Sequence, residues 1–334
     1  MTDAPVLILH RGLFTTLDRA NPTATAVAIT DGEFSAVGHD NDVMKLAGRD
    51  TKVIDLKGRR VLPGLIDNHL HIIRGGLNFN MELRWDGVRS LADAMTMLKR
   101  QVAITPPPQW VRVVGGFTEH QFAEKRLPNL EELNAVAPDT PVFLLHLYDR
   151  ALLNGAALRA VGYTKDTPDP PAGEIVRDSR GNPTGLLLAK PNAGILYATL
   201  ARGPKLPFDY QVNSTLHFMR ELNRLGVTGA IDAGGGFQNY PDDYAVIQKL
   251  ADEGQLTVRI AYNLLRRSQR ARRTISSTGQ RALNTNKAPI ISATMVAARC
   301  WSSPLPISRI SASPGPTCRR RWKPSSKTWC ASWL

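Results

Sequence analysis

Apolar and polar residues alternate in short runs over the first sixty positions, and the period lengthens after that. Val6-Leu7-Ile8-Leu9, Ala26-Val27-Ala28-Ile29, Phe34-Ser35-Ala36-Val37 and Thr51-Lys52-Val53-Ile54 are strand-length runs closed by turn residues, notably Asp31-Gly32. From residue 61 on, strand-length and helical patterns alternate. Residues 110–117, 141–146, 227–231 and 258–265 read as strands. Residues 91–102 read as a helix with Ser90 as its N-cap, 210–225 as an amphipathic helix closed by Gly226, and 242–253 as another closed by Gly254. That alternation predicts βα units and a parallel sheet. Residues 162–184, rich in Pro and Gly, predict a loop that inserts over a site. No internal repeat of fixed period is present.

One strand-like run ends differently. Leu62-Pro63-Gly64-Leu65-Ile66-Asp67-Asn68-His69-Leu70-His71 closes on two histidines. Side chains two apart on a strand share a face, so the strand reading points His69 and His71 to the same side, where two imidazoles can share a metal ion. A His-x-His pair also arises by chance in a chain with seven histidines. Its hydrophobic lead-in favours a pre-formed site over a surface cluster.

This run resembles the first-strand signature of the metal-dependent amidohydrolase superfamily, and the strands before it resemble the small β-sandwich of that superfamily. Three later segments resemble the branch that includes N-substituted formamide deformylases. They are Trp110-Val111-Arg112-Val113-Val114-Gly115-Gly116-Phe117, Pro183-Thr184-Gly185-Leu186-Leu187-Leu188, and the run from Leu225 to Gly235. The resemblance covers roughly residues 5–265. It implies an α/β fold with a β-sandwich over 1–60 and an incomplete TIM-type (β/α) barrel over 61–265. It further implies hydrolysis of a non-peptide C–N bond by metal-activated water, a divalent metal with zinc foremost, and a small-molecule substrate. The implied metal ligands beyond His69 and His71 are a carboxylated Lys or acidic residue from a middle strand, two later histidines, and an Asp after the last strand.

Several side chains at strand ends are candidates for that site. Lys190 follows Leu186-Leu187-Leu188-Ala189 and is a candidate middle ligand, or an ordinary solvent- or substrate-facing lysine. Asp232 ends the 227–231 strand before Gly234-Gly235-Gly236, either as a catalytic carboxylate or as a turn former. His146 and Asp149 lie past a strand and His120 lies in a polar loop; all three are candidates for substrate contact, with packing as the alternative. His10 and His39 read as structural, and His217 as a helix-surface or packed residue. The glycine run lacks the strand–GxGxxG–helix setting of a nucleotide loop. No His follows His217 and no Asp follows Asp252. The late ligands are therefore missing, and the chain as written is expected to be truncated and inactive, with unpaired sheet edges and apolar faces.

Composition marks a boundary near residue 266. The formal charge of +13 invites a nucleic-acid reading. Yet the stretch from Arg266 onward holds fourteen Lys and Arg and no Asp or Glu, which leaves 28 basic against 29 acidic residues before it. All three cysteines (Cys300, Cys318, Cys330) and four of the six tryptophans lie in the same stretch. At ordinary acidic content about eight Asp or Glu are expected there. Two readings follow: an out-of-frame stretch, or a natural basic, disordered tail over 266–334. The alternatives to an enzyme are a nucleic-acid-binding protein that uses this tail, which the near-neutral body disfavours, and a non-catalytic scaffold. With neither a leader peptide nor an apolar run of membrane-spanning length, a soluble, cytoplasmic protein without a membrane partner is expected. Oligomeric state leaves no trace in the sequence.

Overall fold

A computed structural model describes residues 4–171, 173–233, 241–263 and 290–293. The chain divides into two compact units. One takes Met1–Leu70, Leu222–Ala233 and the chain from Thr257; the other takes His71–Glu221 and Gly234–Leu256.

The first unit begins with β1 (Leu7–His10), β2 (Leu13–Thr15), β3 (Thr23–Ala24), β4 (Ala26–Thr30) and β5 (Glu33–Gly38). Then come a short helix, α1 (Asp40–Val43), and β6 (Lys52–Asp55), β7 (Arg60–Val61) and β8 (Leu65–Leu70). Strands in the order β5-β4-β1-β6 make one sheet and β3-β2-β7 another. Asp31 (φ 51°) and Gly32 (φ 78°) turn β4 into β5, as an Asp-Gly pair with left-handed backbone does. Alternation sends Leu9 and Val27 to pack with Phe14 and Ala24 of the other sheet. It sends Ile8, Ala26 and Ala28 to the opposite face, against Val43 of α1.

β8 leaves these sheets and pairs elsewhere. With β15 (Val227–Asp232), β16 (Arg259–Asn263) and β17 (Ile290–Ala293) it forms a sheet ordered β17-β16-β15-β8, and every pair in it is parallel. The apolar run from Val61 is split by Pro63-Gly64, and the strand restarts at Leu65. Gly64 is required there: a Cβ would lie 2.1 Å from Thr228 Oγ1 at the start of β15. The strand also stops at Leu70, one residue before His71, so strand alternation carries His69 and not His71. The low-order tail expected over 266–334 falls outside the described residues, except at Ile290–Ala293, where a strand forms.

In the second unit, α2 (Ile72–Asn78), β9 (Glu82–Arg84), α3 (Leu91–Ile104), β10 (Val111–Val114), α4 (Leu130–Val136) and β11 (Val142–His146) alternate as predicted. β12 (Arg150–Leu153), α5 (Gly155–Val161), β13 (Gly173–Arg177) and β14 (Pro183–Ala189) follow, then α6 (Gly194–Leu200), α7 (Phe208–Arg224) and α8 (Ala245–Asp252). The strands order as β13-β14-β12-β11-β10-β9. Only β9, β10 and β11 run parallel. β12, β14 and β13 are antiparallel, so the expected parallel sheet gives way to a mixed one. The expected loop over 162–184 contains β13 and the start of β14; its Gly and Pro residues flank or connect these strands. Among the described residues no sheet closes on itself, and no helix is long and apolar enough to cross a membrane.

Both faces of the mixed sheet are buried. Val142 and Leu144 join Trp85, Leu98, Phe117 and Leu133 on one face, while Phe143 joins Leu153, Leu158 and Leu196 on the other. A strand covered on both sides has no polar face, which explains the unbroken run Val142-Phe143-Leu144-Leu145. Ser90 caps α3 by accepting from Asp93 N, and Asn129 with Glu132 forms a capping box on α4. Asn154 is the buried hub. Its Oδ1 accepts from Val142 N and Ala157 N, and its Nδ2 donates to Ala137 O and Thr140 O. It therefore caps α5 and fixes the start of β11 together. Asn154→Ala strands three buried polar groups and a half-buried one and is expected to cost about 3 kcal/mol, whereas Asn129→Ala removes an exposed cap worth about 1 kcal/mol. Urea denaturation of both variants checks the order; equal losses would contradict it.

Candidate functional site

Parallel pairing brings the carboxyl ends of β8 and β15 to one edge. Asp232, the last residue of β15, is opposite Leu70 in register, and Ala233 N donates to Leu70 O at 2.9 Å. Asp232 is fully buried. His69 lies at the same edge on β8, exposed, and its backbone N–H donates to Asp67 Oδ1 at 3.0 Å. His71 follows the strand end as the N-cap of α2 (φ −97°, ψ 63°), and its carbonyl accepts from Gly75 N. Two imidazoles fall short of the three protein ligands of a catalytic zinc site. Among the described residues, no group of three or more His, Cys, Asp or Glu can hold a metal ion. The described donors therefore do not by themselves complete the metal centre implied by the resemblance.

A second constellation lies within the mixed sheet's unit, past the carboxyl ends of β10 and β11. His146 ends β11 and is 2% exposed. Its Nδ1 hydrogen-bonds Asp149 Oδ1 at 2.9 Å. Its Nε2 lies 2.7 Å from Glu119 Oε2, but off the line a hydrogen bond needs, so this second contact is electrostatic. Arg150 Nε donates to Asp149 Oδ2 at 2.9 Å, and its guanidinium lies 3.6 Å from Glu119 Oε1. Phe117 meets the imidazole edge-on at 6.0 Å. The Glu119 carboxyl is held below the usual range by its own backbone N–H, with burial opposing and the charges of His146 and Arg150 adding to the shift. Burial pushes the Asp149 carboxyl up, but bonds to His146 and Arg150 outweigh it and leave it low.

This network clamps a tight turn. After His146 the chain passes through Leu147 (φ 52°) and Tyr148 (φ 122°), and both Tyr148 N and Asp149 N return to His146 O. Left-handed backbone at two non-glycine residues costs on the order of 1–3 kcal/mol each. The His146–Asp149 bond spans the turn and holds it.

Of the sequence candidates, the structure brings His146 and Asp149 together and sets His69 and Asp232 at one sheet edge. His120 is exposed in a 3₁₀ turn, where its backbone N donates to Thr118 Oγ1 and its carbonyl accepts from Lys125. Lys190 follows β14, and its ammonium pairs with Glu174 of the neighbouring strand. His217, expected as a helix-surface or packed residue, lies on α7 and hydrogen-bonds Asn80 Oδ1 at 3.0 Å. The run Gly234 to Gly236 lies outside the described residues. Sequence reasoning missed Glu119 and Arg150. The available signal was positional: Glu119 follows β10 as His146 ends the adjacent parallel strand.

A sheet edge of this kind, beyond the carboxyl ends of parallel strands, is where α/β proteins carry their sites. A profile of the amidohydrolase family matches residues 52–299, and the chain belongs to that family. The match runs past Leu265 into the basic stretch. The chain is 33% identical over 236 residues to N-substituted formamide deformylase of Arthrobacter pascens, covering 70% of this chain and 43% of that protein. It is 32% identical over 224 residues to the Bacillus subtilis protein YtcJ, named as an amidohydrolase, covering 66% and 41%. It thus spans less than half the length of these relatives. An uncharacterised metal-dependent hydrolase of Pyrococcus horikoshii shares the fold, with a TM-score of 0.57 at 19% identity over 82% of this chain and 50% of that one.

The depressed Glu119 and Asp149 carboxyls favour the folded state at pH above their unfolded values of about 4. That contribution is lost as pH falls through the still lower folded values. His146→Gln removes one cause of both shifts. Its urea midpoint is expected to drop at pH 7 and to approach wild type as pH falls below about 4. Parallel curves from pH 7 to 3 would sink the assignment.

Proposed function

We propose that this chain is the amino-terminal part of a metal-dependent hydrolase that cleaves a non-peptide C–N bond in a small molecule. In this reading the paired small sheets are its β-sandwich, and the βα elements from β8 onward are part of a TIM-type barrel. The observation that carries the reading is the shared edge of β8 and β15, with His69 and the buried Asp232 at its carboxyl end, in a chain of the amidohydrolase family. His69 and His71 are the proposed ligands of a divalent ion, zinc foremost. Asp232 is the proposed carboxylate that moves a proton between water and the leaving nitrogen. The late histidines and Asp implied by the resemblance have no counterpart after Asp252. We therefore assign this chain weak metal binding and little turnover of its own.

Metal analysis of the purified full chain, with an assay on N-substituted formamides, tests this reading. Substoichiometric zinc after dialysis is expected, with weak uptake that His69→Asn or His71→Asn removes. A tightly bound equivalent of metal that survives both substitutions would overturn the ligand assignment, and rapid turnover would overturn the assignment of an incomplete site.

A further inference from the structure

Arg74 lies in the first turn of α2, three residues after His71. Its guanidinium stands 4.8 Å from the centroid of the Tyr197 ring on α6. Tyr148, at the tip of the clamped turn, lies 6.1 Å from Tyr197, ring to ring. Burial pushes the Arg74 pKa down, and the two phenols outweigh that and raise it. Among the described residues Arg74 forms no ion pair with a carboxylate.

The surroundings add positive charge. Glu82 on β9 feels Arg84, Arg74 and Arg112 at once, and Arg84 takes it as an ion-pair partner at 2.5 Å. Arg112 is buried and bonds neutral oxygens, Asn78 Oδ1 at 3.2 Å and Pro204 O at 3.1 Å. One carboxylate for three guanidinium groups leaves a cationic surplus. Arg74 is the guanidinium of the three that stacks on a tyrosine, and the neighbouring ring, Tyr148, is 56% exposed. A half-buried guanidinium whose near neighbours are phenols retains its capacity for a bidentate carboxylate. The exposed Tyr148 adds a hydroxyl from the side, and the turn that presents it is held by His146 and Asp149.

We propose that Arg74, framed by Tyr148 and Tyr197, binds a carboxylate. On the hydrolase reading above, on which this step rests, Arg74 selects amides that bear a free carboxylate, such as N-acyl amino acids, over neutral amides. Arg74 belongs to the first turn of the helix that the proposed ligand His71 precedes.

Calorimetric titration of the full chain with N-formyl-L-alanine and with N-formyl-L-alaninamide tests this without turnover. The acid is expected to bind at least about tenfold more tightly than the amide, the usual weight of a charge-assisted hydrogen bond. Arg74→Met should erase the difference, Arg74→Lys should keep part of it, and Tyr148→Phe, at an exposed ring, should weaken the acid about threefold with an unchanged melting temperature. Equal affinities, no binding of either probe, or an undiminished preference in Arg74→Met would each overturn the proposal. If Arg74→Met does not fold, the wild-type comparison and Tyr148→Phe decide. Preferential binding of the acid by a chain that takes up no zinc would leave the carboxylate site standing and count against the hydrolase reading; zinc uptake that His69→Asn removes, with equal affinity for both probes, would do the reverse.

Discussion

The parallel pairing of β8 with β15 is the constraint on which the candidate site depends. Parallel strands cannot be joined by a tight turn, and here most of the second unit lies between them in sequence. Their register sets Asp232 opposite Leu70 and so fixes which side chains reach the edge. Close approach requires glycine at position 64, where any Cβ would collide with Thr228. A shift of one residue would turn every side chain of β8, His69 included, to the opposite face of the sheet.

The second unit obeys a different economy of polar groups. Its sheet is covered on both faces, so each buried polar group must find a partner inside. Asn154 meets this with four bonds that join a strand start to a helix cap. His146 meets it with flanking carboxylates and a nearby guanidinium. Both lie at the ends of strands, where the sheet ladder no longer supplies partners and side chains take over.

Much of this was legible from pattern. The short strands of the first sixty residues, the Asp31-Gly32 turn, the Ser90 cap and the helices over 208–224 and 245–252 follow from apolar period and terminal residues. The antiparallel course of β12 to β14 was not, because apolar period records burial and carries no strand direction. His71 falls outside the strand because the chain enters α2 directly after Leu70, a boundary that lies within one residue of the motif. His146 and Asp149 were legible as strand-end polar groups, while their partner Glu119 was hidden beside the more conspicuous His120. The pairing of Lys190 with Glu174 depends on cross-strand register, which single-strand patterns do not contain.

The separation of β8 from β15 also bears on synthesis. Leu70 and Val227 are 157 positions apart, and at roughly 5–20 residues per second a ribosome takes on the order of ten to thirty seconds to make that length. For most of that interval β8 has left the ribosome without the strand it will pair with, carrying Leu65 and Ile66, residues that stay largely exposed even in the finished fold. Among the described strand pairs, the segment that bears His69 is thus the one that waits longest for its partner.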